Sequence, residues 1–143
     1  IVDIIKYLIK KKIPVMGHVG LLPQSSPNFK FKGKNLKQRN LILEDAISIS
    51  KAGVFSIVVE CVVESLAKKI TNSVKVPTIG IGASKYCDGQ VLVTDDMLGM
   101  SNFLPRFVKQ YSKLAQVIEK SIKKYCKDVK SRKFPTLKNV YKL

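Results

Sequence analysis

The sequence predicts an α/β chain built from parallel β/α units, and two observations predict it. Apolar, β-branched runs such as Val54-Phe55-Ser56-Ile57-Val58-Val59 read as strands buried on both faces, as in a parallel sheet. Between them lie segments whose apolar residues recur every three or four positions, the period of a helix with one buried face.

The elements follow in order. Ile1, Ile4, Ile5, Leu8 and Ile9 form the first helical stripe, closed by Lys10 to Lys12 where cations suit the helix dipole. No Ser, Thr, Asp or Asn precedes this stripe as a cap, so the start reads as a truncation within a helix. Ile13-Pro14-Val15-Met16-Gly17-His18 is a short strand, and the Pro-, Ser-, Asn- and Lys-rich stretch 20–37 is a long loop. Asn40 is expected to cap a helix containing Leu41, Leu43, Ala46, Ile47 and Ala52, with Gly53 as its left-handed stop. The strand at 54–59 runs into Glu60. A short helix carrying Leu66, Ala67 and Ile70 leads to strand Val76-Pro77-Thr78-Ile79-Gly80-Ile81 and then to strand Gln90-Val91-Leu92-Val93. The order αβαβαββ is the rhythm of parallel units. The tail from Pro105 to Lys133 reads as one helix, its packing face formed by Phe107, Tyr111, Leu114, Ile118, Ile122, Tyr125 and Val129. Four short parallel strands with so few helices leave two open edges and an unclosed core.

Composition bounds the function. The 143 residues are 45% hydrophobic and 25% charged, a normal globular mixture, and no apolar run approaches the length of a membrane span. The formal net charge of +16 invites a nucleic-acid reading. Against it, only Arg39, Arg106 and Arg132 among the 26 basic residues could form guanidinium forks, and the lysines do not alternate with aromatics. Enrichment in Lys, Ile and Asn fits an A+T-rich coding sequence. Cys61, Cys87 and Cys126 are odd in number and widely spaced, which suggests neither a disulfide framework nor a zinc site but small, buried apolar residues in a reducing cytoplasm.

Three positions invite chemical readings. Glu60 follows a strand directly, and in parallel β/α barrels the chemistry gathers at the carboxyl ends of strands. A carboxylate there suits general acid/base work, although a solvated Glu opening the next helix is the plainer alternative. His18, the only histidine, ends its strand in the same manner and serves either as a structural hydrogen-bonding group or as a substrate contact. Asp95 and Asp96 read as a helix cap with first-turn acid in preference to paired metal ligands. Gly80 and Gly82 lack the third glycine of a dinucleotide loop, where Lys85 stands.

Three stretches together resemble the ketopantoate hydroxymethyltransferase family. They are Ile13-Pro14-Val15-Met16-Gly17-His18-Val19-Gly20-Leu21-Leu22-Pro23-Gln24-Ser25, then Val58-Val59-Glu60-Cys61-Val62, then the run from Ile79 to Val93 containing Gly80-Ile81-Gly82-Ala83-Ser84 and Asp88-Gly89-Gln90. Asp96-Met97-Leu98-Gly99, Pro105-Arg106-Phe107-Val108-Lys109 and Phe134-Pro135 continue the match. Departures from the family pattern are Lys32 for Gln, Val63 for Pro, Ser84 for Gly, Asp95 for His, and Asn139-Val140-Tyr141 for His-Ser-Phe.

The resemblance implies the C-terminal half of a (β/α)8 TIM-type barrel, with residues 1–143 a single partial domain and 105–133 a helical tail within it. It implies a transferase of pantothenate biosynthesis that moves a hydroxymethyl group from 5,10-methylenetetrahydrofolate to 3-methyl-2-oxobutanoate, giving 2-dehydropantoate. Glu60 would be the proton-transfer residue and His18 a substrate contact. Mg2+ would be bound by carboxylates from the first four strands, so no metal ligand is expected within this chain. The complete enzyme is expected to be a cytoplasmic homo-oligomer without nucleic-acid or membrane partners. The alternative is an inactive half-barrel that lacks the metal site and survives as a fragment or interaction module.

Overall fold

The structure, a computed structural model, describes residues 1–25 and 30–142, so part of the predicted 20–37 loop lies outside the described residues. The chain divides into two compact units, Ile1–Val91 and Leu92–Leu143.

The first unit holds a four-stranded, wholly parallel sheet whose strands lie side by side in chain order. These are β1 (Met16–Gly20), β2 (Ser56–Glu60), β3 (Thr78–Ile81) and the short β4 (Gly89–Gln90). Helices α1 (Val2–Lys10), α2 (Leu36–Ala52) and α3 (Glu64–Ser73) connect and cover them, and a 3-10 turn spans Pro23–Ser25. The register separates two rows of side chains. Gly17, Ile57 and Thr78 align, as do Val19, Val59 and Gly80, and all six are buried. Val19, Ile57 and Val59 join Ile42, Ala46 and Ile49 of α2 and Leu66, Ala67 and Ile70 of α3 in one core cluster. In the alternate row Met16, His18, Val58, Glu60, Ile79 and Ile81 are half-buried or exposed, and only Ser56, at the start of β2, is buried.

Boundaries differ from the sequence reading for identifiable reasons. Helix α2 starts one turn early because Asn35, not Asn40, caps it: the Asn35 side-chain oxygen accepts from the Gln38 backbone N–H at 2.9 Å. Gln38 Oε1 in turn accepts from the Gly33 N–H at 2.6 Å, a reach-back of the capping-box kind. Gly53 ends α2 at φ 99° as expected. β1 is displaced forward to residue 20, and β4 ends at Gln90, leaving Val91 to Val93 outside the strand.

In the second unit, α4 (Thr94–Leu98) carries Asp95 and Asp96 in its first turn, but its cap position is Val93 and no side chain caps it. The tail helix is shorter than the predicted 105–133, since α5 runs from Leu114 to Lys130. A helix continuous from Pro105 would bond the Tyr111 N–H to Phe107. That N–H instead donates to the Met97 carbonyl at 2.8 Å, so the stretch before α5 is irregular. At the other end the left-handed backbone of Arg132, φ 55°, stops the helix. Among the described residues no helix is long and apolar enough to cross a membrane.

Candidate active site

Glu60 is the last residue of β2, and the chain on either side of it is fixed by main-chain bonds. Its carbonyl accepts from the Leu21 N–H at 2.9 Å, and the following Cys61 N–H donates to the Ile81 carbonyl, also at 2.9 Å. Neighbouring chain thus clamps the strand end from both sides. Two backbone conformations make the clamp possible. Gly20 has φ +105°, and a Cβ there would collide with the Glu60 carbonyl oxygen, so only glycine fits. Cys61 adopts φ 46°, a left-handed conformation uncommon for a side-chain-bearing residue and concentrated at functional sites.

The Glu60 side chain rises from the uncovered row of the sheet. Its Oε2 lies 3.0 Å from Nε2 of His18, with the two side chains 16% and 29% exposed. The structure therefore brings the two sequence candidates together. They come from adjacent strands because β1 and β2 pair in parallel, with Gly20 opposite Glu60 and His18 one pleat below it. The Cys61 thiol beside this pair is buried and its pKa is raised, by burial first and by the Glu60 carboxylate second. It stays a protonated thiol and a poor nucleophile. Cys87 is likewise buried, but Cys126 is exposed, against the expectation of three buried thiols.

Two further side-chain contacts, one at each end of the strands, have no counterpart in the sequence reading. Asp88 accepts from both the Thr78 N–H (2.8 Å) and the Thr78 hydroxyl (2.9 Å), which ties the β4 approach to the start of β3. These bonds, the backbone one first, hold its carboxyl below the usual aspartate range. Ser84 donates to Glu64 Oε1 at 3.2 Å and its hydroxyl accepts from the Tyr86 N–H at 3.1 Å, so Ser84 ties Glu64 to the β3–β4 loop. An Asp-Gly pair just before a strand was the available signal for the first contact. Nothing local announces the second.

Residues 32 and 63 meet through their backbones. The Lys32 N–H donates to the Cys61 carbonyl at 2.7 Å and the Val63 N–H donates to the Lys32 carbonyl at 3.1 Å, a short parallel bridge across residues 32 and 62. A proline at 63 could not make the second bond.

Among the described residues no three His, Cys, Asp or Glu side chains gather as a metal-binding group. Glu60 has one oxygen engaged by His18, and a hard divalent cation takes six or so oxygen ligands, so the residues of this chain do not by themselves fit Mg2+. A fixed strand-end carboxylate next to an imidazole can accept or return a proton.

The family model for ketopantoate hydroxymethyltransferase matches residues 1–137. The chain belongs to that family. It is 60% identical over 141 residues to a 3-methyl-2-oxobutanoate hydroxymethyltransferase of Pelagibacter ubique, covering 99% of this chain and 55% of the relative. It is 51% identical to the enzyme of that name from Phenylobacterium zucineum, over 99% of this chain and 52% of the relative. A 3-methyl-2-oxobutanoate hydroxymethyltransferase of Clostridium botulinum is 50% identical over 97% of this chain and 52% of its own length. The chain spans about half the length of the curated relatives it matches.

Proposed function

We propose that this chain is the C-terminal half of a (β/α)8-barrel hydroxymethyltransferase acting on 3-methyl-2-oxobutanoate in pantothenate biosynthesis, with Glu60 as its proton-transfer residue. The observation that carries the reading is the placement of Glu60 at the carboxyl end of a central parallel strand, on the sheet face that helices leave uncovered. The substrate class comes from the names of the relatives. Joining a one-carbon unit to such a keto acid requires loss of a proton from the carbon next to the ketone. Glu60 accepts that proton through its free oxygen, while its other oxygen stays bonded to His18. The one-carbon donor in this proposal is 5,10-methylenetetrahydrofolate. Mg2+, held by carboxylates outside this chain, belongs to the same proposal, and no step here is routed through it.

The test joins residues 1–143 to the N-terminal half of the Pelagibacter ubique relative and measures 2-dehydropantoate formation. Turnover is expected, and Glu60→Gln should lower kcat by about 10²-fold or more, the scale for losing a general acid or base. Near-normal turnover by the variant would make Glu60 structural. No turnover by the unsubstituted joined protein would favour an inactive remnant.

A further inference from the structure

We propose that His18 is a positioning residue for Glu60, held as the neutral ring with its proton on Nε2, so that one carboxylate oxygen is fixed and the other is left for proton transfer. The proposal rests on the reading of Glu60 given above and assigns His18 a different task from the substrate contact that the family resemblance implies.

The two ring nitrogens have unequal surroundings. Nε2 lies 3.0 Å from Oε2 of Glu60. Nδ1 is buried and has no hydrogen-bond partner among the described residues. An ionised carboxylate only accepts, so Nε2 is the donor in this pair. The opposite tautomer would be wrong at both nitrogens: an N–H buried at Nδ1 with nothing to receive it, and a lone pair on Nε2 facing the lone pairs of Glu60. The doubly protonated ring would likewise add an orphaned N–H at Nδ1. Because this chain already covers Nδ1, neither substrate nor any other segment reaches that nitrogen. Nε2 is occupied by Glu60. Both polar atoms of the ring are therefore committed before a substrate arrives.

Glu60 needs such a partner. The clamp at Leu21, Cys61 and Ile81 fixes where its side chain leaves the strand, but a glutamate then has three rotatable bonds with which to wander. The imidazole, rooted one pleat lower on the neighbouring strand, anchors the far end of that side chain.

His18 is the only histidine in the chain, so labelling histidine with 15N gives a single ring to observe. Long-range proton–nitrogen NMR correlations on the 143-residue chain at neutral pH should show the Nε2–H pattern. The Nδ1–H pattern, an imidazolium pattern or an average of tautomers would overturn the assignment. The second measurement is kinetic, in the protein joined to the Pelagibacter ubique N-terminal half. His18→Leu is expected to lower kcat about 10²-fold with KM within about twofold, as for a displaced reacting group. His18→Gln, whose amide nitrogen stands in for Nε2, should recover most of that loss. A raised KM with kcat retained, or no recovery by glutamine, would return His18 to substrate contact or to a purely structural role. Should Glu60→Gln keep full turnover while the Nε2–H pattern is seen, the reading of Glu60 fails and the tautomer assignment stands, so the two failures are distinguishable.

Discussion

Residues 1–91 and residues 92–142 both use amphipathic helices, but only the first group covers them. In α3 the apolar stripe Leu66, Ala67 and Ile70 is buried, with Ile70 at 0% exposure, and it belongs to the core that backs the sheet. In α5 an equally regular stripe of Val117, Ile118, Ile122, Tyr125 and Val129 is exposed, with Ile122 at 56%. No described residue beyond Val91 is buried. Periodicity thus tells which residues share a helix face and is silent on what lies against that face. The stability of the chain should be concentrated accordingly.

Substitutions can break that contrast. The largest effect is expected in the core: Ile70→Ala should lower the unfolding free energy by about 2 to 5 kcal/mol, read from urea denaturation, because it leaves a cavity in the cluster that also holds Ile57 and Val59. A smaller effect is expected at Asp88, which serves the same unit from its surface. Asp88→Asn should cost about 1 kcal/mol at neutral pH, at the low end for bonds to a charged group because the carboxylate is solvent-exposed. Its folded pKa is lowered, so the stabilisation is present above the ordinary aspartate value of about 3.9 and fades as pH falls through the folded value. The gap in Tm between the parent and Asp88→Asn should therefore close on acidification below that range, and a constant gap would refute the assignment. Least of all, Ile122→Ser in α5 should change stability by no more than about 0.5 kcal/mol. A loss comparable to that of Ile70→Ala would show that something covers the α5 stripe after all.

The same contrast explains what was legible in the sequence. Buried strands announce themselves by apolar, β-branched runs, and Glu60 was found because it follows one of them directly. The parallel order and the helices α1 to α3 were legible for the same reason. What escaped depends on partners distant in the chain. Nothing local to Tyr111 says that its N–H bonds to Met97 and so interrupts the expected tail helix. The bond between His18 and Glu60 joins residues 42 positions apart and follows only from the pairing of their strands. The Asn35 cap is the exception: Asn35 with Gln38 three residues later is a capping signal, but it lies in a stretch without apolar period that reads as loop.

The short bridge that pairs Lys32 with Val62 decides how freely positions 32 and 63 can be substituted. Both of its bonds are main chain to main chain, so position 32 accepts almost any side chain without disturbing them. Position 63 is less free. Its N–H is in use, and a proline there would delete a bond worth about 1 kcal/mol. The backbone beside Glu60 is thus more tolerant of substitution at 32 than at 63.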